Sequence, residues 1–466
     1  MSSNKTYDVI IIGSGQSGVP LATYLAGKNK KVAVIEKDRV GGTCVNWGCT
    51  PTKTLYASAR IAHTTRRASE YGINTGSVAV DFTKVMSRKD GVVKIWYDGS
   101  VKRLTTNEHI DLYYGEGSFL SRSVVRVKKD SGEEISLEAT RIFINTGGRA
   151  RILKIPGLES IEYLDNKKIL QLKTLPEHLV ILGGGYIGLE FGQMFHRFGS
   201  RVTIIQRGDR LLSREDPDIS EAVKESMQEE GLEILFHSSI EEIKKLSETN
   251  YAFTINQQGQ QKQIIGTHLL MAIGRVPNSD MLNLQSAGVE TDARGFIKAS
   301  DTLETTTEGI YVLGDIKGGP AFTHISYDDY RIVRDNLYEE KDKTIHDRSV
   351  PNVVFIDPQL GSVGLNESEA KKKNISYDLY KMNISSIARA FEMSEEKGFM
   401  KVLVNPTDQT ILGATVFGFE GGELMNMLQI AMESKYSIEK LKEDVFAHPT
   451  LAEGFNNLFT YYKVTI

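Results

Sequence analysis

Residues 7–27 read YDVIIIGSGQSGVPLATYLAG, and this stretch decides the fold of the first part of the chain. The apolar run over residues 7–12 predicts a buried strand, and a helical pattern follows the turn GSGQSG at residues 13–18. Such a glycine-rich turn lets a backbone approach a pyrophosphate at a helix N-terminus. A second predicted strand, residues 31–35, ends at Glu36, a carboxylate suited to accepting hydrogen bonds from ribose hydroxyls. The stretch therefore predicts a unit that binds a dinucleotide.

The same pattern recurs later in the chain. A predicted strand over residues 179–182 leads into GGGYIG at 183–188, a predicted helix over 189–198 and a predicted strand over 201–205. One glycine-rich turn alone is weak support, because such turns are common in purely structural roles. Here each copy sits between a strand and a helix, which is the context that a nucleotide site requires. The sequence thus predicts two nucleotide-binding folds.

The second copy lacks the acidic residue that would accept hydrogen bonds from the hydroxyl groups of an unmodified ribose. Its second strand ends in Gln206-Arg207, and Arg210 follows closely. A guanidinium pairs with a 2′-phosphate that a carboxylate would repel, so this end predicts NADPH, with NADH use left open. The alternative is that both arginines are ordinary surface charges.

Length and composition limit the remaining classes of protein. The chain has 466 residues, 40% hydrophobic and 25% charged, which suggests roughly three domains and excludes collagen-like or disordered chains. A formal charge of -4 provides no global attraction for nucleic acid or anionic membrane. We expect no membrane span and no secretory signal, and the presence of only two cysteines favours a reducing, cytoplasmic location.

The predicted fold class is α/β, with two Rossmann-like domains and a C-terminal α+β domain. Predicted strands 141–145 and 309–313 precede the turns Thr146-Gly147-Gly148 and Gly314-Asp315, and residues 154–158 and 271–278 look like crossings between domains. In the last part, strands are predicted at 353–356, 400–404 and 413–417, and a helix at 423–434. The predicted boundaries are 1–150 and 276–345 for the two parts of the first domain, 151–275 for the second domain and 346–466 for the C-terminal domain.

Both cysteines lie in GGTCVNWGCTPTK, residues 41–53. The spacing of Cys44 and Cys49 is not that of a zinc site, and no metal site is predicted; inert buried thiols are the other alternative. In an ideal helix the two Cα atoms would be roughly 8–9 Å apart, too far for a disulfide. A bonded pair therefore needs a break, which Gly48 and Pro51 permit. Pro51 predicts a helix beginning nearby, whose N-terminus would lower the pKa of Cys49.

Residues 41–53 resemble the redox-disulfide motif of the FAD-containing pyridine nucleotide–disulfide oxidoreductases. This family includes dihydrolipoamide dehydrogenase, glutathione reductase and mercuric reductase. The resemblance covers essentially the whole chain, through GSGQSG at 13–18, TGG at 146–148, GGGYIGLE at 183–190, residues 306–315 ending in YVLGD, and HPTLAE at 448–453.

The resemblance implies a path of electrons and a role for each matched residue. NADPH would reduce FAD on one face, and FAD would reduce a Cys44–Cys49 disulfide on the other, with Cys49 nearest the flavin and Cys44 meeting the substrate. Lys53 would lie near the flavin, paired with Glu190; the alternative is a mere surface pair. The candidate cofactor-binding residues are Gly13, Gly15, Gly18, Glu36, Gly42, Thr43, Thr146, Gly147, Gly183, Gly185, Tyr186, Gly188, Arg207, Arg210, Gly274, Gly314 and Asp315, with Tyr186 gating the nicotinamide pocket and Asp315 on the flavin ribitol.

His448 and Glu453 resemble the family's His–Glu dyad, although a lone histidine is usually structural. In the family, the glutamate orients the imidazole, which exchanges a proton with the interchange thiol. The dyad comes from the partner subunit, through the C-terminal domain. The resemblance therefore implies that this α+β domain is a dimerisation domain, and that the protein is a homodimer with shared active sites and a small molecule or ion as substrate.

Several departures point to one branch of the family. Residues 459–466 contain no cysteine, unlike mercuric reductase proper, and Gln206 and Trp47 differ from dihydrolipoamide dehydrogenases. Residues 322–333, FTHISYDDYRIV, are closer to mercuric-reductase-like proteins of the bacterial reactive-chlorine-resistance type. The expected substrate is a hypohalous or hypothiocyanous oxidant, a small disulfide or a thiophilic metal ion. The alternatives are an NAD-dependent dihydrolipoamide dehydrogenase and a non-catalytic flavoprotein subunit.

Overall fold

A computed structural model describes residues 4–465 of the chain. Its strands are β1 (Lys5–Thr6), β2 (Val9–Ile12), β3 (Val32–Glu36), β4 (Ile110–Tyr114), β5 (Glu116–Phe119), β6 (Val124–Lys128), β7 (Glu134–Glu138), β8 (Arg141–Ile144), β9 (Gly148–Ala150), β10 (His178–Leu182), β11 (Arg201–Ile205), β12 (Glu233–Leu235), β13 (Ser238–Lys245), β14 (Tyr251–Gln257), β15 (Gln260–Gly266), β16 (His268–Met271), β17 (Arg275–Pro277), β18 (Ile310–Val312), β19 (Asn352–Val354), β20 (Gln359–Gly364), β21 (Asp378–Asn383), β22 (Phe399–Val404), β23 (Ile411–Gly418) and β24 (Lys463–Val464).

The α-helices are α1 (Gly18–Gly27), α2 (Gly42–Trp47), α3 (Cys49–Arg66), α4 (Phe82–Thr105), α5 (Tyr186–Phe198), α6 (Pro217–Glu229), α7 (Thr323–Tyr338), α8 (Glu367–Lys372), α9 (Ala388–Glu392), α10 (Gly421–Glu433), α11 (Ile438–Leu441) and α12 (Gly454–Tyr461). Within residues 4–465, none of these helices combines the length and the apolar character that crossing a bilayer demands.

The first nucleotide-binding fold is a parallel sheet in the order β18-β8-β2-β3-β4, with α1 connecting β2 to β3. Every residue of β2 and β3 is buried, as expected for a parallel sheet covered on both faces. Strand β2 begins at Val9 rather than at the predicted Tyr7, because the Tyr7 amide donates to the carbonyl of Glu138 in a neighbouring sheet. The turns that follow β2, β3, β8 and β18 all lie at one edge of the sheet.

The second nucleotide-binding fold is a parallel sheet in the order β12-β11-β10-β16. Helix α5 begins at Tyr186, earlier than the predicted Leu189, since Gly185 caps it and the Leu189 amide donates to the Gly185 carbonyl at 3.0 Å. A three-stranded antiparallel sheet, β13-β14-β15, follows and was not predicted.

The two crossings between the folds lie side by side. Strand β9 pairs with β17 in antiparallel fashion, with Ala150 opposite Arg275. Strand β18 then completes the first sheet, so the first fold is built from two separate stretches of chain. This pairing lies beside the predicted boundaries at 150 and 275, which themselves stay predictions.

The C-terminal region is a six-stranded sheet in the order β19-β20-β23-β22-β21-β24, with α10 packed against it. Strand β19 ends at Val354, short of the predicted residue 356, because the Phe355 amide leaves the sheet and donates to Glu190 at 2.9 Å. Helix α10 begins at Gly421 rather than at residue 423. The predicted fold class, α/β with an α+β C-terminal domain, is confirmed.

A buried ammonium group joins the second fold to the C-terminal sheet. Lys401 on β22 is 1% exposed and lies 2.8 Å from Asp216, 2.8 Å from Asp218 and 3.0 Å from Glu367. We call these four residues the Lys401 cluster. Because removing one partner of a buried ion cluster leaves unpaired charge inside the protein, this contact fixes the start of α6 against β22.

Candidate active site

One cavity of about 1400 Å³ opens at the edge of the first sheet where the strand ends meet. The predicted site residues that line it are Gly13, Gly15, Glu36, Gly42, Thr43, Cys44, Cys49, Lys53, Thr146, Gly147, Tyr186, Glu190 and Asp315. The predicted residues outside its lining are Gly18, Gly183, Gly185, Gly188, Arg207, Arg210, Gly274, Gly314, His448 and Glu453. The structure therefore gathers most of the candidates for the first cofactor and the thiols, and leaves the dyad and the arginines elsewhere.

The first glycine turn forms a close backbone cradle. A Cβ on Gly18 would lie 2.2 Å from the carbonyl oxygen of Gly13, so only glycine allows α1 to start there. Glu36 accepts from the amide of Ser14 at 3.0 Å and from its hydroxyl at 2.6 Å, which fixes the carboxylate beside the turn. Asn145 closes the cradle, since its Oδ1 accepts from the Gly18 amide at 3.1 Å.

The two thiols are separated by a sharp break in the chain. Helix α2 ends at Trp47, Gly48 has φ −141° and ψ −117°, and α3 begins at Cys49. The sequence predicted that a bonded cysteine pair needs a break in the helix, and the chain has such a break at Gly48. The prediction of a helix beginning near Pro51, with Cys49 close to its N-terminus, agrees with the structure, because α3 begins at Cys49 and proline is tolerated in a first helical turn.

The two thiols have opposite shifts in pKa. A hydrogen bond from Cys44 lowers the pKa of Cys49 to about 6, helped by Thr323 and the charge of Lys53 and opposed by burial and Glu190. The same hydrogen bond to Cys49, together with burial, raises the pKa of Cys44. The hydroxyl of Thr323 lies 3.1 Å from the Cys49 sulfur. At neutral pH the arrangement therefore supports a thiolate on Cys49 and a thiol on Cys44.

Lys53 and Glu190 form an ion pair that lines the cavity. The Lys53 Nζ lies 2.5 Å from Glu190 Oε2, and the side chain of Glu190 is 9% exposed, so the pair does not lie on the protein surface. Glu190 Oε1 accepts from the amide of Phe355. Lys53 also stands over the Phe355 ring, 4.4 Å from its centroid. The pair fixes one ammonium group beside the thiols.

His448 and Glu453 form a dyad that stands apart from the thiols of the same chain. Nδ1 of His448 lies 2.9 Å from Glu453 Oε2, and the histidine side chain is 72% exposed. Neither residue lines the cavity that holds Cys44 and Cys49. Within one chain, the two dyad residues contact each other but lie outside the cavity that holds the thiols.

The end of β11 is organised by Gln206. Its Oε1 accepts from the amide of Gly184 at 3.1 Å, and its Nε2 donates to the carbonyl of Arg210 at 2.9 Å. Arg207 is exposed, and Arg210 lies 3.4 Å from Asp209. The glutamine thus spans the turn in the place where other nucleotide folds carry an acid.

Several residues of this site have no sequence signal of their own. Thr323 contacts Cys49 from α7, and Asn145 holds the first glycine turn, but neither forms part of a recognisable spacing with its partner. Asp315 lies 3.5 Å from Arg275, another contact that the sequence did not predict. Among residues 4–465, no three His, Cys, Asp or Glu side chains are grouped as metal ligands.

Comparison with known proteins places this geometry in a family. The chain matches the model of the pyridine nucleotide-disulphide oxidoreductases over residues 7–329 and the model of their dimerisation domain over residues 350–459. The chain therefore belongs to the pyridine nucleotide-disulphide oxidoreductase family. It is an FAD-dependent enzyme of that family and uses a pyridine nucleotide.

Similar proteins of this family carry different names. The chain is 34% identical to the probable pyridine nucleotide-disulfide oxidoreductase RclA of Escherichia coli, over 98% of this chain and 99% of that protein. It is 34% identical to a mercuric reductase of Lysinibacillus sphaericus (97% and 82% covered) and 32% identical to a dihydrolipoyl dehydrogenase of Chlamydia muridarum (97% and 95%).

A solved structure agrees over nearly the whole chain. The Cu(II) complex of the HOCl-induced flavoprotein disulfide reductase RclA from Escherichia coli superposes with a TM-score of 0.90 at 34% identity, covering 98% of this chain and 99% of that one. This chain is thus a flavoprotein disulfide reductase of the RclA and mercuric reductase type. The cradle fits FAD: Cβ atoms on Gly13 and Gly18 would lie 2.3 Å from the Asn145 carbonyl oxygen and 2.2 Å from that of Gly13, so only glycine allows this tight turn at the start of α1, and Gly13 and Glu36 line the cavity.

We predict that Cys49 in the reduced protein reacts with iodoacetamide with a half-maximal rate near pH 6, because its pKa is lowered to about 6. An ordinary cysteine reaches that point at about pH 8.5. Cys44→Ala removes the main stabilising hydrogen bond and should move the midpoint upward, and Lys53→Met should do so to a smaller extent. Rates are measured by peptide mass spectrometry from pH 5 to 9. A wild-type midpoint at or above 8.5 contradicts the assignment.

Proposed function

We propose that the chain passes electrons from NADPH through FAD to a Cys44–Cys49 disulfide and then to a small electrophile. The observation that carries the proposal is the thiol pair with opposite pKa shifts beside the Lys53–Glu190 pair in one cavity. When bound, FAD supplies the hydride acceptor. Gly13, Glu36 and Asp315 are the proposed FAD contacts, and Tyr186 is the proposed cover of the nicotinamide pocket.

The proposed chemistry assigns a separate role to each thiol. With a hypohalous or hypothiocyanous oxidant or a small disulfide, Cys44 attacks as a thiolate, and Cys49 then displaces the reduced product and closes the disulfide, so two electrons leave the sulfur atoms. A metal ion that accepts one electron, such as Cu(II), would need two ions for each disulfide that closes. Because burial and Cys49 raise the pKa of Cys44, this step needs a base to take the Cys44 proton. Because its pKa is lowered, Cys49 is already a thiolate when it displaces the product.

The proposed electrophile is a hypohalous or hypothiocyanous oxidant, a small disulfide or a thiophilic metal ion. This class is supported by likeness to the HOCl-induced reductase RclA, also solved with Cu(II), and to mercuric reductases. Dihydrolipoamide dehydrogenase is the second candidate, since dihydrolipoyl dehydrogenases match at 32% identity.

A substrate panel separates these functions. We expect NADPH oxidation with hypothiocyanous acid, glutathione disulfide, Cu(II) or Hg(II) to exceed that with lipoamide. Cys44→Ser should abolish thiol-dependent turnover while nucleotide still bleaches the flavin, because Cys44 alone meets the substrate. Turnover chiefly with lipoamide and NADH would favour the dehydrogenase, and no turnover with any of these acceptors would refute the proposed class of substrate.

We predict that NADPH is preferred over NADH because of Arg207, which is exposed beside Gln206 at the end of β11. One charge-assisted contact with the 2′-phosphate contributes roughly 1.5–3 kcal/mol, or about tenfold to a hundredfold in kcat/KM. Arg207→Glu should reverse the preference. Arg201→Gln is the control, since Arg201 begins the same strand at its other end and pairs with Glu233. Equal kcat/KM values for the two nucleotides in the wild type would refute this prediction.

We propose that the chain forms a homodimer in which His448 of the partner subunit serves Cys44. The proposal is supported by the match to the dimerisation domain and by the exposed His448–Glu453 dyad, which does not line the cavity that holds the thiols of its own chain. A closed twofold dimer is the commonest symmetric assembly. Proton transfer by the partner's His448 would contribute typically 10²–10⁴ in rate.

A mixing experiment tests the shared site. Cys44→Ser and His448→Ala homodimers should each be nearly inactive, and they are unfolded and refolded together. If the site is shared, a heterodimer has one intact and one doubly altered site, so activity should return. Refolding each variant alone is the control. Demonstrated heterodimers without recovered activity would place the complete site within one chain.

A further inference from the structure

The hydroxyl of Tyr186 makes two polar contacts beside the cavity, one of them with a buried carboxylate. Its ring lines the cavity and stacks on Phe322, with centroids 6.3 Å apart and planes at 20°. The hydroxyl lies 3.2 Å from Glu215 Oε1 and 3.2 Å from Asn352 Oδ1. Burial, followed by the charge of Glu215, raises the pKa of Tyr186, so the hydroxyl stays a neutral donor.

Glu215 is buried and receives its side-chain hydrogen bonds from hydroxyl groups. It is 7% exposed, and its second oxygen, Oε2, accepts from the Ser362 hydroxyl on β20 at 3.2 Å. Burial raises the pKa of its carboxyl, while the hydrogen bonds from Tyr186 and Ser362 oppose that shift. The carboxyl group therefore lies between the first turn of α5 and the C-terminal sheet.

The backbone that carries Glu215 is held firmly. The Glu215 amide donates to the carbonyl of Leu212 at 2.8 Å, and the next residue, Asp216, belongs to the Lys401 cluster. Asp216 also accepts from the amide and the hydroxyl of Ser368. Glu215 thus cannot follow the Tyr186 side chain if the ring turns out of its place, and such a movement must break the hydrogen bond between them.

We propose that Glu215 is a positioning residue that holds the ring of Tyr186 over the cavity and thereby sets how readily a pyridine nucleotide displaces it. This inference rests on the proposed function, in which Tyr186 covers the nicotinamide pocket. Binding to a protein whose competent arrangement is only partly populated is weakened by that fraction. Releasing the hydroxyl increases the population with the ring displaced, so the nucleotide binds more tightly.

A double-mutant cycle on the FAD-loaded enzyme tests this coupling, with NADP⁺ binding followed by titration calorimetry. Tyr186→Phe should lower the Kd by about threefold to tenfold, the effect of one lost hydrogen bond. Glu215→Leu should lower it by up to the same factor, because Asn352 stays as a second acceptor for the hydroxyl. The double variant should show no further change, because Glu215 acts only through the hydroxyl. Glu215→Gln retains an acceptor and should bind NADP⁺ like the wild type. Thermal melting confirms that each variant is folded, and Glu215→Met replaces Glu215→Leu if that variant does not fold.

The outcomes separate the inference from the function on which it rests. An unchanged or raised Kd in Glu215→Leu overturns the inference, and so does an equal effect of Glu215→Leu in the Tyr186→Phe background. Tyr186→Ala removes the ring itself. If Tyr186→Ala leaves the Kd unchanged, the covering role of Tyr186 fails and the inference fails with it. If Tyr186→Ala changes the Kd but Glu215→Leu does not, only the role of Glu215 is wrong.

Discussion

The ion pair between Lys53 and Glu190 is the contact on which the arrangement of the site depends. It joins α3, which begins at Cys49, to α5, which begins at the second glycine turn, with 2.5 Å between nitrogen and oxygen. The other oxygen of Glu190 accepts from the Phe355 amide of the C-terminal region. The carboxylate of Glu190, on α5, therefore contacts both α3 and the C-terminal region. Because removing one partner of a largely buried pair is strongly destabilising, the two folds cannot shift independently at this point.

Local patterns predicted the fold class and both glycine turns, but not where the elements end. Tyr7 and Phe355 were assigned to strands because they continue apolar runs. In the structure their amides donate to Glu138 and Glu190, residues far away in the chain. A local pattern shows which side chains prefer burial, but it does not show which distant acceptor a backbone amide will find. Helix α5 began early for a local reason, the cap at Gly185, which a pattern of apolar residues does not register.

The thiols and the Lys53–Glu190 pair were accessible from the sequence because each belongs to a compact motif. Thr323, which contacts the Cys49 sulfur, and Glu215, which accepts from Tyr186, belong to no motif, and only folding brings them to their partners. His448 shows a different limit. The sequence pairs it with Glu453, and the structure confirms their contact, yet one chain places the dyad away from the thiols. The fold of one chain does not bring the dyad to the thiols, and only the proposed homodimer would do so.

The Lys401 cluster makes the contact between the second fold and the C-terminal sheet depend on pH. Burial alone would raise the pKa values of Asp216 and Glu367, but hydrogen bonds with Lys401 hold them below their ordinary values. A carboxyl with a depressed pKa contributes stability that is present above its unfolded pKa, near pH 4, and lost as the pH falls through its folded value. Acidification therefore weakens the contact between the second fold and the C-terminal sheet, because it protonates carboxyl groups that lie outside the thiol site.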